Sequence, residues 1–259
     1  NLQDANLERC NLQQAVLDKA RLDKSQLAQA DLRQTSLRQA SLQHVSAGKV
    51  TANGACFVQA DLQHADLTNS DLSEADFTRA SLGRAVFENC TLQRALFKKA
   101  AATQASFQES DLSAANFMRA ELAQALMHKA RLEGTCLAAV KAPKLRLQGV
   151  QGTGADFRQA QLTNSRADAQ TCLDKALFND AEISNSCWNE ASLRQACFDQ
   201  AILDRSFFIK CDLKQGTLRR CRMRGANLSK ANLEATDFTD SDLWNGSMRM
   251  ARLAHTVLR

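Results

Sequence analysis

A chain of 259 residues with 44% apolar side chains, 24% charged side chains and a formal net charge of +5 has room for one domain or two. These proportions exclude a disordered acidic or basic tail, and one proline with ten glycines excludes collagen-like and Pro/Gly-rich classes. No run of about 18 apolar residues could span a membrane, and no basic-then-apolar signal pattern opens the chain.

The organisation is a period of five residues. Leu2, Leu7, Leu12, Leu17, Leu22, Leu27, Leu32, Leu37 and Leu42 stand in unbroken steps of five. The series continues through Phe57, Leu62, Leu67, Leu72, Phe77, Leu82, Phe87, Leu92 and Phe97, then through Phe107, Leu112, Phe117, Leu122, Met127, Leu132 and Leu137. After Ala167 the register slips by one residue, and it resumes from Leu173, Phe178, Ile183, Trp188 and Leu193 to Leu258. There are 34 such centres before the slip and 18 after it, 52 in all, of which 30 are Leu and 11 are Phe. A small residue precedes each centre by two. Of 51 such slots 28 hold Ala, and Leu145 is the large exception. The residue between slot and centre is usually polar, often Asp or Asn, and the two residues after the centre are mostly polar or charged.

A helix needs apolar residues at i, i+3, i+4 and i+7, and a flat strand needs strict alternation; a step of five supplies neither. It fits a short extended bridge with two inward side chains flanking one outward one, followed by a two-residue corner.

This pattern resembles the pentapeptide-repeat family, whose consensus is Ala-(Asp/Asn)-Leu-x-x. Ala65-Asp66-Leu67-Thr68-Asn69, Ala75-Asp76-Phe77-Thr78-Arg79 and Ala231-Asn232-Leu233-Glu234-Ala235 carry the resemblance. It implies an all-β fold: a right-handed quadrilateral β-helix, a pentapeptide-repeat solenoid with four pentapeptides in each coil. Residues 1–259 then form a single β-helix of about 13 coils, roughly 60 Å long, with a solid interior.

Four pentapeptides per coil make positions i and i+20 ladder neighbours, where opposite charges help and like charges hurt. That spacing pairs Lys214 with Glu234, Arg219 with Asp199, Arg220 with Asp240, Arg222 with Asp242 and Arg224 with Asp204. Arg194 under Lys214 is a like-charged stack.

Two stretches depart from consensus, near 43–56 and 138–156. Ala47 and Ala52 are small centres preceded by Val45 and Val50; Ala142 and Gly152 follow Val140 and Val150. The exchange of large for small keeps interior volume. Gly48, Gly54, Gly149, Gly152, Gly154 and Pro143 cluster in these stretches and predict distorted coils with bends or bulges. The slip near 168–172 predicts a one-residue bulge at a corner.

His44 and His64 stand at i and i+20 and face outward as ladder neighbours, but two imidazoles are too few for a tight zinc site, and Lys24 and Arg84 flank them. Cys10, Cys90, Cys211 and Cys221 occupy small inward slots; Cys56, Cys136, Cys172, Cys187 and Cys197 lie at outward ones. No two cysteines stand at i and i+20, so no pair is placed for a disulfide, and a reduced, cytoplasmic bacterial compartment is expected, with export lacking a signal peptide as the other option. Asp and Asn before the centre are expected to bond the backbone at a corner. No catalytic, cofactor-binding or metal-binding residue is assigned, and no cofactor or small-molecule substrate is implied.

The expected function is a non-enzymatic protein-interaction or scaffold rod, part of a larger bacterial protein, with an unnamed protein partner. The resemblance offers two alternatives. One is a gyrase- or topoisomerase-binding DNA mimic conferring resistance, which calls for an anionic surface rather than +5. The other is a bacterial effector or secretion-system component. Nucleic-acid binding is not expected, because the cations of the most basic stretch all find acids and aromatic interleaving is absent. The chain starts at Asn1 and the repeat is in phase from Leu2 to Leu258, so end-to-end self-association or flanking domains are expected to cover the ends.

Overall fold

The structure is a computed structural model describing residues 1–259. It contains no helix. The chain forms two compact units, Asn1–Arg131 and Leu132–Arg259.

Within the first unit every outward residue between a small slot and its centre bridges, in parallel, from position i to i+20. One ladder runs Asn6, Gln26, Ser46, Asp66, Val86, Ser106, Leu126; three others start at Asn11, Val16 and Arg21. Four ladders make a four-sided coil in which each side is one slot, one rung and one centre. Each side has a single rung because the next two residues turn the corner. Around Asp66 the pattern is explicit: Asp66 N–H donates to the Val45 carbonyl (2.9 Å) and Leu67 N–H to the Val86 carbonyl (2.8 Å). The corner closes when Ala65 N–H donates to the Leu62 carbonyl (3.0 Å).

The second corner residue has a left-handed backbone. His64, Arg79, Lys99 and Ala114 have φ of 59°, 59°, 57° and 58°, and the value recurs through both units on residues that are mostly not glycine. An L residue there costs roughly 1–2 kcal/mol, a local cost carried by the interior.

The interior of the first unit is filled by the centres and small slots, buried from Leu22 onward and half-buried in the first coil. Phe57, Phe77, Phe97 and Phe117 stack in one column with centroids 4.8, 4.9 and 4.4 Å apart. Phe87 and Phe107 stack in a second column at 5.1 Å. The columns interlock edge to face, as at Phe77–Phe87 (5.5 Å, 83°) and Phe97–Phe107 (5.5 Å, 86°), a favoured aromatic geometry.

The second unit has the same four ladders. Its rungs join i to i+20 except where they cross the slip: Gln151–Cys172, Asp156–Leu177, Gln161–Glu182 and Arg166–Cys187 join i to i+21. The extra residue widens one corner. Asp168 secures it by accepting the N–H groups of Gly149 (2.9 Å) and Gln170 (3.1 Å), while Thr171 Oγ1 donates to the Leu147 carbonyl (3.0 Å). Phe157, Phe178 and Phe198 stack at 5.0 and 4.6 Å. Trp188 is fully buried, and its indole N–H donates to Ser165 Oγ (2.9 Å).

The bends and bulges expected at 43–56 and 138–156 are absent: both stretches carry the same alternation of rung and corner as their neighbours. Val45, Ala47, Val50 and Ala52 are all buried, as are Val140, Ala142, Leu145, Leu147 and Val150, so exchanged volumes fill the coil without moving its backbone. Gly54 and Gly154 sit at second corner positions with φ of 66° and 71°, where non-glycine residues elsewhere do the same. Gly152 is different. A Cβ there would meet Leu173 Cδ2 at 2.9 Å and Leu132 Cβ at 3.1 Å, so neighbouring centres have closed over the empty slot.

Candidate functional site

Inward positions hold little chemistry. Burial pushes the thiols of Cys90, Cys211 and Cys221 up to about 12, leaving them protonated at neutral pH. They bond backbone carbonyls, Cys90 that of Leu67 (3.0 Å) and Cys221 that of Phe198 (2.9 Å). Hydroxyls in small slots do likewise. Ser186 Oγ accepts the Ser165 N–H (3.0 Å) and donates to the Leu162 carbonyl (2.9 Å); Thr35 and Thr236 donate to the carbonyls of Leu12 (2.7 Å) and Leu213 (2.9 Å). Sequence reasoning treats these residues as fillers, although in the inward slot they are also stitches between coils. Cys10, the fourth cysteine in a small slot, is half-buried, and all nine cysteines are free thiols.

The Asp and Asn before a centre bond the backbone as expected. Asp66 accepts the Thr68 N–H (2.9 Å), Asp76 the Thr78 N–H (2.9 Å) and Asn116 the Met118 N–H (3.0 Å). A second group, at the first corner position, reaches along the ladder: Asp18 accepts the Arg38 N–H (3.0 Å), Asp199 that of Arg219 (3.0 Å) and Asp204 that of Arg224 (2.9 Å). The Ser36 hydroxyl, followed by the Arg38 N–H, holds the Asp18 carboxyl below its usual value. The Thr239 hydroxyl and N–H, with Arg219, lower Asp237 to about 2.

His44 and His64 are stacked ladder neighbours, centroids 4.7 Å apart and 6° from parallel. Ring-nitrogen lone pairs lie in the ring plane, so parallel rings cannot both aim at one ion; as placed, the pair is not a chelate.

Most outward cations between Arg194 and Arg224 form a lattice of ion pairs. Lys214–Glu234 (2.9 Å) and Arg220–Asp240 (3.8 Å) are the expected ladder partners. Three expected pairings are corrected. The side chains of Arg219, Arg222 and Arg224 pair with Asp237 (2.7 Å), Asp204 (2.7 Å) and Asp242 (2.6 Å), each two positions short of a full ladder step. For Arg219 and Arg224 the reason is that Asp199 and Asp204 turn one oxygen to the N–H directly along the ladder, so these guanidinium groups lean from corner to face. Asp242 is then taken by Arg224 and the Trp244 N–H (3.0 Å), and Arg222 leans from face to corner onto the other oxygen of Asp204. The like-charged stack of Arg194 and Lys214 is relieved because Arg194 leans to Asp212 (2.5 Å) while Lys214 keeps its ladder partner Glu234 (2.9 Å). Each exposed pair contributes about 0–1 kcal/mol.

One corner of the first unit is the opposite case. Arg79, Lys99 and Arg119 follow one another at the second corner position in successive coils, with Lys98 and Met118 beside them; all five are exposed. None of the four cations has a carboxylate within ion-pair distance. Shallow hollows between corner columns mark the second unit; one of about 670 Å³ is lined by Arg205, Arg224, Gly225 and Trp244 among others. No helix is long and apolar enough to cross a membrane.

Four-sided coils of this kind, with apolar centres inside and polar corners outside, define a class of repeat β-fold. The family described as "Pentapeptide repeat region" matches residues 1–77, and "Pentapeptide repeats (8 copies)" matches residues 95–134, 176–215 and 208–245. The chain belongs to the pentapeptide-repeat family. Among solved structures it is similar to HetL, a pentapeptide repeat protein involved in heterocyst differentiation regulation from the cyanobacterium Nostoc sp. strain PCC 7120, at 23% identity over 99% of this chain and 90% of that one, with a TM-score of 0.37. It is similar to QnrB1, a plasmid-mediated fluoroquinolone resistance protein, at 17% identity over 81% of this chain and 89% of that one, with a TM-score of 0.45. A pentapeptide repeat protein from the Arabidopsis thaliana thylakoid lumen shares 27% identity over 42% of this chain and 69% of that one, with a TM-score of 0.19. No curated protein sequence matches the chain.

Proposed function

We propose that this chain is a non-enzymatic protein-interaction scaffold, a right-handed four-sided coil that presents fixed columns of side chains to a protein partner in the bacterial cytoplasm. The observation that supports it most is the division of labour within each repeat. Two residues in five are spent on a filled interior; the other three stand outside at rung spacing, on a backbone that holds them in register. Such a surface recognises by arrangement of charge and shape, as in other solenoids. Nine free thiols suit a reducing compartment. The net charge of +5 weighs against imitation of a DNA duplex, whose binders expect dense negative charge.

The test is affinity capture with the intact chain followed by a gyrase supercoiling assay. Capture of a defined protein without inhibition of supercoiling is the expected result. Inhibition at micromolar protein would put the DNA-mimic reading first, and turnover of any substrate by the purified chain would overturn the non-enzymatic one.

A further inference from the structure

The unpaired cations of the first unit concentrate on one corner. Arg79, Lys99 and Arg119 stand in a column, and Lys98 occupies the adjacent first corner position. Backbone bonds fix their spacing: Arg79 N–H donates to the Lys98 carbonyl (2.9 Å) and Lys99 N–H to the Met118 carbonyl (3.0 Å). Successive cations are therefore held about 4.8 Å apart, one strand spacing, with their backbones locked at φ of 57° to 59°. Like charges directly opposite on a ladder repel. Several cations elsewhere have an acid, Lys129 with Glu109 (3.0 Å), Lys210 with Glu190 (2.9 Å), and Arg194 and Lys214 each with their own. The rung Arg146–Arg166 in the second unit is a like-charged pair without one, but it is a single pair and not a column. Asp76 flanks the column but turns Oδ1 to the Thr78 N–H (2.9 Å). Met118 is 41% exposed beside Lys98, and Leu96 is half-buried on the adjoining face.

We infer that this corner is a docking strip for an acidic, extended segment of a partner protein, with carboxylates on one side and at least one apolar side chain. The inference rests on the scaffold reading and gives it a place and a chemistry. Carboxylates on alternate residues of an extended chain fall about 6.6 Å apart, within reach of long side chains on rungs about 4.8 Å apart. The arginine forks can each hold a carboxylate by two hydrogen bonds. Met118 and Leu96 supply an apolar contact that a phosphate backbone cannot use. The strip has no aromatic platform for bases, which favours a polypeptide over a nucleic acid.

The experiment is fluorescence anisotropy with the whole chain and three labelled probes: poly-glutamate, an alternating Glu-Leu peptide, and oligo-deoxythymidine. Both peptides bind at low salt, the Glu-Leu peptide more tightly, and binding weakens as salt rises. Changing Lys98, Lys99 and Arg119 together to Gln weakens peptide binding by about tenfold or more, with the circular dichroism spectrum unchanged. A control that removes three exposed cations from the second unit, Lys175→Gln with Arg205→Gln and Lys230→Gln, leaves peptide binding intact. Equal loss in both variants, no loss in the first, or tighter binding of oligo-deoxythymidine than of either peptide overturns the strip. A partner protein captured equally by wild type and the first variant overturns the strip while the scaffold reading stands. Failure of every capture, with peptide binding intact, overturns the scaffold reading alone.

Discussion

The two units build the same coil and finish it differently. The first closes its interior with interlocked phenylalanine columns and leaves a corner of like charges open. The second carries a buried tryptophan and a corner widened by one residue, and concentrates ion pairs on its outside between Arg194 and Asp242. The coil tolerates both, so its stability lies in the inward residues and the rungs, and the outward columns are free to differ. In such a fold the surface is where function can change at little cost to folding.

The largest effect expected from this contrast is at the aromatic columns. Phe97 stacks on Phe77 and Phe117 and meets Phe87 and Phe107 edge-on. Phe97→Ala costs about 3–5 kcal/mol in denaturant unfolding, from the lost burial and the cavity left behind. Phe207, on an outward rung of the second unit and 45% exposed, is the counterpart; Phe207→Ala stays within about 0.5 kcal/mol.

Next come the small slots. Ser186 bonds two backbone groups across coils, which also bond each other, Ser165 N–H to the Leu162 carbonyl at 3.1 Å. Ser186→Ala removes the cross-coil bonds and costs about 0.5–1.5 kcal/mol. Ser25 is equally buried, but its hydroxyl has no partner, and Ser25→Ala is neutral or stabilising. Thermal melts of the two variants decide whether the slot hydroxyls are stitches or only fillers.

A smaller effect appears with pH. The Asp237 carboxyl is depressed to about 2 in the folded chain, below its unfolded value of about 3.9. A depressed carboxyl contributes stability that is complete above the unfolded value and is lost as pH falls through the folded one. Asp237→Asn therefore flattens the fall in unfolding free energy between about pH 4 and about pH 2, read by urea titration at each pH. An unchanged slope would mean that the Thr239 and Arg219 contacts do not persist in solution.

The smallest effect tests the corners. Ala114 is exposed at a φ of 58°. Ala114→Gly relieves a left-handed backbone at the cost of unfolded-state freedom, so it changes stability by less than about 1 kcal/mol, in the stabilising direction. The same change at Ala105, a buried small slot, is destabilising in the same thermal melts.

Much of this was legible in the sequence because period and volume are sequence properties. Inward and outward positions, the rung from i to i+20 and the placement of the slip all follow from the spacing of Leu and Phe. Three features were not. The left-handed corners leave no glycine signature, since Gln, Lys, Arg and Asn occupy them and the interior carries the strain; that is why Gly54 and Gly154 looked like breaks. The partners of Arg219 and Arg224 depend on how far a guanidinium reaches sideways once Asp199 and Asp204 have turned to the backbone, and that of Arg222 on Asp242 having been taken by Arg224. Spacing alone specifies the ladder, not the lean. The open corner at Arg79, Lys99 and Arg119 was hidden because a net charge and a single basic stretch do not show which cations lack acids.

The central claim is that two residues in five face inward, with the phase advancing by one residue between Ala167 and Leu173. A lysine scan of the whole chain, read as resistance to proteolysis, tests it most directly. Leu67→Lys buries an unpaired charge and is expected to unfold the protein, and Ala65→Lys to fail for the same reason, while Thr68→Lys is tolerated. Paired sensitive positions are expected to repeat every five residues, shifted by one after residue 168. A flat profile, a period of two or 3.6, or an unshifted phase would contradict it.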